Sequence, residues 1–410
     1  MDNLEPGVQQ TVLATPSMTI DGGQVFIGDT QSCEVTPVCL LALTLLQARS
    51  APGPMLKSLA KAPSAPYFSS TGTLLPPGTC LSPMQSNARS EWNRKVLVAL
   101  KRLTSPFDGG WDECRRLKEL QSLRSIPRHN NIIPLYDAFL VPATRHLFLV
   151  FEAMEGNLYQ LIRSRKGRGF ANGLVFSIFQ QAVPGLHHIH SSGYIHRDMK
   201  PENLLVTTTG LARYSPNMEQ DVMVIVKITD FGLARETSSR PPYTEYIAVR
   251  WYRSPELLLR ARDYSSPVDM WALGLILAEV INLKPLFPGS GEIDQLFRIT
   301  HVLGEPTDRY GHDECGRVLG GGPWPKGIEM ATSHGFMFRE SQPVVFATLF
   351  PPTIPRSLID VIQDLLLYDP AARFKTVDLL DCEYVRDMQS QPAPVSITGA
   401  RSSPADAVVA

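Results

Sequence analysis

The chain has 410 residues and a formal net charge of −1, long enough for two or three domains around a large core. The balanced charge argues against a nucleic-acid binder or a membrane-surface binder. The 6 cysteines form no C-x-x-C pair, which argues against a disulfide scaffold or zinc site and suits reduced thiols in the cytoplasm or nucleus.

Residues 1–90 show little hydrophobic periodicity, and Ser50–Ser86 is dominated by Thr, Ser, Pro and Gly, which favours loop or disorder. The apolar run Val38–Ala48 is too short to span a bilayer and lies too far inside the chain for a secretory signal. It reads as a buried helix or strand, and a soluble protein is expected. From Lys95 the pattern becomes regular. Val96–Leu103 reads as a strand, and Trp111–Ile126, apolar at 117, 120, 123 and 126, as one amphipathic helix. Ile132–Tyr136 and Leu147–Phe151 read as two further strands. Leu174–His190 reads as a long helix with Leu174, Ile178, Leu186 and Ile189 on one face. Pro184 lies inside it and should kink or strain it, at a cost of roughly 3 kcal/mol. His187, His188 and His190 suit the negative end of the helix dipole and are read as helix-end residues, not metal ligands.

Tyr194–Asn203 (YIHRDMKPEN) comes next. A polar stretch at Thr207–Asp221 reads as a surface loop inserted in a hairpin, and Val222–Thr229 as the strand leading to Asp230-Phe231-Gly232. Pro241–Tyr246 contains Thr-Glu-Tyr, and Trp251–Glu256 reads WYRSPE. Ser266–Gly274 opens a buried helix, with Ser266 as N-cap and Pro267 in the first turn. Leu367–Arg373 reads LYDPAAR, and from about Asp387 the chain turns to Ser, Pro and Ala, a tail expected to be disordered.

Tyr194–Asn203, Asp230–Gly232 and Trp251–Glu256 resemble the HRD-x-K-x-x-N loop, the DFG motif and a Ser-Pro-Glu variant of the APE motif of eukaryotic protein kinases. Each piece alone is a common loop; the three in this order are specific. The resemblance covers roughly Lys95–Tyr384. It implies an α+β, bilobal protein kinase fold, with a small β-rich N-lobe and a larger, mainly helical C-lobe. Residues 91–154 would form the rest of the N-lobe and the hinge, 155–386 the C-lobe, and 387–410 a tail.

Phosphoryl transfer is mostly positioning and charge stabilisation. By the resemblance, Asp198 accepts the substrate hydroxyl's proton and Lys200 neutralises charge on the γ-phosphate of ATP. Asn203 and Asp230 offer oxygens, the ligands that Mg²⁺ prefers. Lys101 matches the α/β-phosphate lysine, and Glu119 its helix partner. The Glu152 carbonyl and the Met154 backbone would bond the adenine edge, with Phe151 as gatekeeper. Thr244 and Tyr246 would be phosphorylated by an upstream kinase, and Arg197 with neighbours such as Arg235 would capture the phosphate. Arg253 matches the arginine of the cyclin-dependent and MAP kinase group, which is associated with proline after the phosphoacceptor. Asp269 would hold the catalytic-loop backbone, and Glu256 would pair with Arg373.

Within that group GGWDECRRLKELQSLRSIP, MEGNLYQLI, ARETSSRPPYTEY and LFPGSGEIDQ resemble the fungal inducer-of-meiosis kinases and their male-germ-cell-associated relatives. That branch implies a monomeric Ser/Thr kinase acting on protein substrates in meiosis, sporulation, mating or nutrient-dependent development. Three features depart from the pattern. No Gly-rich loop is recognisable: Ile27–Val35 holds one of the three expected glycines, and also reads as a plain turn. Pro184 interrupts a helix. Val249 replaces a threonine whose hydroxyl bridges the catalytic aspartate and lysine, a loss on the order of 1 kcal/mol. Two readings stay open: an active ATP- and Mg²⁺-dependent kinase, favoured by Lys101, Asp198, Lys200, Asn203 and Asp230, and a catalytically weak kinase-like scaffold. A faulty exon assignment over residues 1–90 would also account for the missing loop.

Overall fold

The computed structural model describes residues 28–30, 33–39, 97–103, 105–209, 223–237 and 250–390. Thr244, Tyr246 and Val249 lie outside the described residues, as do Ser50–Ser86 and most of the insertion before Asp230. The chain divides into two compact units, Met1–Arg115 with Pro134–Ala153, and Arg116–Ile133 with Met154–Ala410.

Among the described residues the first unit is an antiparallel five-stranded sheet with one short helix. In chain order it contains β1 (Gly28–Thr30), β2 (Cys33–Cys39), β3 (Leu97–Leu103), α1 (Gly110–Cys114), β4 (Leu135–Val141) and β5 (His146–Glu152). The strand order is β1-β2-β3-β5-β4. At the edge of the sheet β1 pairs antiparallel with β2, with Gly28 opposite Val35 and Thr30 opposite Cys33. β2 pairs along the whole of β3, from Cys33 against Leu103 to Cys39 against Leu97. Burial of Leu100 and Val150 against Tyr136, Phe139 and Phe148 gives the sheet an apolar face. Phe139 and Phe148 stack across the strands at 5.3 Å, the cross-strand aromatic pairing that favours a sheet.

The second unit is mainly helical. Its helices are α2 (Lys118–Ser125), α3 (Leu158–Ser164), α4 (Asn172–Ser191), α5 (Pro255–Leu258), α6 (Pro267–Asn282), α7 (Glu292–Leu303), α8 (Pro325–Ser333), α9 (Arg356–Leu365), α10 (Thr376–Leu380) and α11 (Glu383–Ser390). Short strands β6 (Gly156–Asn157), β7 (Tyr194–Ile195), β8 (Leu204–Thr209), β9 (Met223–Ile228) and β10 (Arg235–Glu236) form two small antiparallel sheets, β6-β8-β9 and β10-β7. α6 is buried on every side from Val268 to Ile281, as expected of a helix with no polar face. α9 packs on α6, while α4 packs on β9 and α10. Among the described residues no helix is long and apolar enough to cross a membrane.

Two local expectations are corrected. The single helix over Trp111–Ile126 is two: Leu117 is extended (φ −64, ψ 122), separating α1 from α2. The apolar spacing demanded a helix only from 117 onward; the earlier part bears Trp111 and Cys114 alone as apolar residues. α4 continues through Pro184, with nine buried residues along it to hold the helix where the ring removes a donor. Ser266 has helical dihedrals (φ −50, ψ −25), so its hydroxyl is not turned onto the first turn of α6 and makes no cap. At the carboxyl end the regular structure continues to Ser390, since α11 buries Tyr384 and Val385.

Candidate active site

Asp269 is the buried anchor from which the site is built. It enters near the start of α6, and only 1% of its surface is exposed. Its Oδ2 accepts the backbone N–H of His196 at 2.8 Å, and its Oδ1 that of Arg197 at 2.7 Å. His190 Nε2 lies 2.8 Å from the same Oδ2. Burial alone would raise this carboxyl's pKa, but the hydrogen bond and charge of His190, then His196, outweigh it and hold it below the ordinary value. The anchor fixes Arg197 in the left-handed region (φ 68), a conformation that costs a non-glycine residue about 1–3 kcal/mol.

Held by that turn, Asp198 meets two partners from its own loop. Lys200 Nζ donates to Asp198 Oδ2 at 2.8 Å. Asn203 Nδ2 donates to the same Oδ2 at 2.9 Å and to the Asp198 carbonyl at 2.7 Å. With its nitrogen committed to Asp198, the Asn203 amide turns Oδ1 the other way, available to a cation. The Asn203 carbonyl accepts the N–H of Thr229 at 3.0 Å, which ties this loop to the residue before Asp230. Asp230 is itself left-handed (φ 65, ψ 75), at the head of a 3₁₀ turn over Phe231–Leu233. Phe231 is fully buried and meets the His196 ring edge-on at 5.2 Å. His196 Nε2 in turn lies 2.9 Å from the Thr229 carbonyl. Among the described residues no three acidic, His or Cys side chains cluster as a closed metal cage. Two oxygen donors, one amide and one carboxylate, instead fit a divalent cation that completes its shell with phosphate and water.

Arg197 is buried, with Nε donating to the Leu233 carbonyl at 2.7 Å and one terminal nitrogen to the Tyr264 hydroxyl at 2.6 Å. Lys118, at the start of α2, has its pKa lowered by burial first and then by the positive charges of Arg197 and Arg235. The positive charges of Arg197 and Arg235 thus act on Lys118. The sequence reading named Arg197 and Arg235 and missed Lys118. Its signal was a cation in the first turn of a helix, where the dipole disfavours positive charge. The three histidines near the end of α4 were also underread. His190 binds Asp269, His187 Nδ1 lies 3.0 Å from Thr376 Oγ1, and His188 Nε2 lies 2.9 Å from the Pro127 carbonyl.

Beside Asp198 and Lys200 a small pocket is walled by Tyr252, Leu257, Val268 and Ala272, with Arg253 at its edge. Tyr252 donates to Glu279 Oε2 at 2.6 Å beneath it. Burial first, then Glu279, push the phenol far up, so it stays a donor. Arg253 is buried and lies 3.7 Å from Glu292 on α7. Glu256 and Arg373 form a bidentate pair at 2.6 and 2.7 Å, closed off from solvent. Arg373 also donates to the carbonyls of Leu367, Pro267 and Tyr368 and lies 5.0 Å over the Trp271 ring.

The remaining expected residues are placed as follows. In the first unit Lys101 sits on the central strand β3, opposite Val35 on one side and Leu149 on the other. Phe151 and Glu152 end β5, both buried, with the Glu152 N–H donating to the Pro134 carbonyl at 3.4 Å. The chain passes to the second unit between Ala153 and Met154. In that unit Met154 Sδ accepts from Thr207 Oγ1 at 3.6 Å, and Glu119 is buried on α2.

An aspartate bonded by a lysine two residues on and an asparagine five residues on, beside a left-handed aspartate before Phe-Gly, defines a phosphoryl-transfer site of the protein kinase class. The chain belongs to the protein kinase domain family, which matches residues 86–385, and such domains use ATP with a divalent metal. It is similar to the serine/threonine-protein kinase MAK of Homo sapiens, 41% identical over 277 residues, 68% of this chain and 39% of that protein. Cyclin-dependent kinase F-3 of Oryza sativa subsp. japonica is 40% identical over 298 residues, 72% of this chain and 60% of that protein. The sporulation protein kinase mde3 of Schizosaccharomyces pombe is 41% identical over 261 residues, covering 64% and 44%. The matched part thus spans only about two fifths of the length of the MAK relatives.

Proposed function

We propose that this chain is a protein serine/threonine kinase that moves the γ-phosphate of ATP to Ser or Thr hydroxyls of proteins, with Mg²⁺ as the metal. The observation that carries it is the Asp198–Lys200–Asn203 arrangement. Lys200 and Asn203 both bind Oδ2, which leaves Asp198 Oδ1 to accept the hydroxyl proton as the hydroxyl oxygen attacks. Lys200 holds positive charge beside the transferred phosphoryl group. Asn203 Oδ1 and the Asp230 carboxylate would hold Mg²⁺, which when bound neutralises phosphate charge. Lys101 would pair with the α/β-phosphates. The backbone of Glu152 and Met154 would take the adenine, next to Phe151.

A proline-directed preference is part of this reading. The pocket is small, and its apolar wall of Tyr252, Leu257, Val268 and Ala272 would suit proline after the phosphoacceptor, next to the charged Arg197, Asp198, Lys200, Arg253 and Asp269 that also line it. Phosphorylation of Thr244 and Tyr246 by an upstream kinase would bring a dianion to Lys118, Arg197 and Arg235 and order the segment. We extend the same reading to a monomer of the cytoplasm or nucleus in meiotic or other developmental signalling, in line with the sporulation kinase among its relatives.

The test is site mapping on a degenerate peptide mixture incubated with the chain and ATP, with Mg²⁺ or with chelator. Phosphate on Ser and Thr, enriched before proline and dependent on the metal, is expected. Phosphate confined to Tyr, or none in any condition after phosphorylation of Thr244 and Tyr246, would overturn the reading and favour a kinase-like scaffold.

A further inference from the structure

Residues 127–133, which follow α2, are fastened to α4 and β9 by polar contacts, and one hydrogen bond within the segment depends on an uncharged imidazole. The His129 and His188 rings stack at 4.9 Å with planes 23° apart. His129 Nδ1 accepts the backbone N–H of Asn131 at 3.1 Å, so that nitrogen carries no proton. His188 Nε2 lies 2.9 Å from the Pro127 carbonyl, which only a protonated Nε2 can satisfy. The two bonds assign one tautomer to each ring, and both rings can be neutral together.

What they hold is a long polar seam. Asn131 Nδ2 donates to the Val226 carbonyl at 3.0 Å, and the Asn131 carbonyl accepts the Ile228 N–H at 2.8 Å. The Ile133 N–H donates back to Ile228 at 2.9 Å. Gln181 on α4 continues the seam, accepting the Val226 N–H at 2.9 Å and donating to the Val224 carbonyl at 2.8 Å. Gly185 is required for this approach: a Cβ there would lie 2.9 Å from the Asn131 carbonyl and 3.1 Å from Ile228 Cδ1. The seam therefore sets the end of β9, two residues before Asp230, and the anchor of α2, which packs on the Phe231–Leu233 turn.

We propose that the His129–His188 stack is a pH-sensitive latch: with both rings neutral it holds residues 127–133 on α4 and β9, and proton uptake by His129 releases them. A proton on His129 Nδ1 would turn an acceptor toward the Asn131 N–H into a second donor, breaking that bond. It would also place a cation against His188. The groups that face His129 are His188 and His187 from α4 and Lys227 from β9, all basic or neutral. Burial first, then these three neighbours, hold the His129 pKa below the ordinary value, which agrees with a neutral ring in the closed seam. For a depressed histidine the stabilisation is full above the unfolded value of about 6.5 and is lost as pH falls from there through the folded value.

The test reads the backbone and needs no catalysis, so it stands or falls separately from the kinase reading. Amide exchange, corrected for the intrinsic rate, would be measured on the full chain at about pH 7.5 and about pH 5.5. Protection of the Asn131, Ile133 and Ile228 N–H groups is expected to fall at least ~10-fold more than that of α9, which lies away from the seam. In His129→Asn/His188→Gln, Asn supplies an acceptor in place of Nδ1 and Gln a donor in place of Nε2, neither titrating. That variant is expected to keep the high-pH protection and lose the pH dependence. Equal loss across seam and α9 in the wild type, or the same pH dependence in the variant, would overturn the latch. Should the variant fail to fold, a ring-nitrogen NMR titration of His129 in the wild type decides: Nδ1 protonation without loss of seam protection contradicts the proposal, and coincident changes uphold it.

Discussion

The backbone N–H of Arg197 donates to Asp269 Oδ1 at 2.7 Å, a contact that reaches across 72 residues of sequence and sets the left-handed turn next to Asp198. Because the carboxylate accepts two backbone donors, it cannot be replaced by an amide without turning a donor on a donor. Asp269→Asn is expected to cost about 1.5–3 kcal/mol in thermal unfolding and to lower phosphate transfer by more than ~10-fold. Loss of stability with transfer unchanged would mean that the turn does not position Asp198.

Glu256 and Arg373 form a buried ion pair whose guanidinium nitrogens are all engaged. Removing one partner leaves an uncompensated buried charge. Arg373→Met should destabilise the chain by about 3–5 kcal/mol, and Glu256→Gln/Arg373→Met by less than the single change. Denaturant unfolding of the two variants checks the order; a double variant worse than the single one contradicts it.

Much of this site lies in contiguous sequence. Asp198, Lys200 and Asn203 lie within one loop, so their mutual geometry is local and the motif carries it. Asp269 and the Glu256–Arg373 pair were legible only through resemblance, since nothing in their neighbours announces a partner so far along the chain. The edge pair of β1 and β2 was illegible for the same reason: strand pairing with β3 is non-local, and one glycine gives no loop signature. Composition placed the histidines of α4 at the helix end but did not show their partners. A row of imidazoles at a helix end reads as dipole chemistry, whereas their tasks are set by Asp269, Thr376 and the Pro127 carbonyl, which only the folded chain brings near.

Glu279 is 2% exposed, and its carboxyl is pushed up to about 7 by burial, against the Tyr252 hydrogen bond, with Glu202 adding to the rise. A raised carboxyl is held protonated in the fold, so its ionisation costs stability as pH climbs from the unfolded value of about 4.3 through the folded value near 7. Glu279→Gln keeps an acceptor for Tyr252 and cannot ionise. It is expected to exceed the wild type in stability at about pH 8, by about 3–4 kcal/mol at most, and to converge with it near pH 5. Thermal unfolding across that range measures the difference; a gap that widens toward acid would contradict the assignment.

Pro184 lies inside α4 with no backbone N–H to offer the turn before it. Pro184→Ala restores the donor and relieves the ring clash. The melting temperature should rise by several degrees, at about 2–4 °C for each kcal/mol recovered. A fall would show that the ring's packing outweighs the missing bond.

The central claim is that Asp198 accepts the proton of the attacking hydroxyl while Lys200 and Asn203 hold its other oxygen. The direct measurement is steady-state phosphate transfer from ATP·Mg²⁺ to a basic protein substrate by the wild type and by Asp198→Asn, with melting temperatures recorded alongside. The account predicts robust transfer by the wild type and a loss of at least ~100-fold in the variant, with a similar fold and nucleotide affinity. Equal transfer by both proteins, or none by either after phosphorylation of Thr244 and Tyr246, would contradict it.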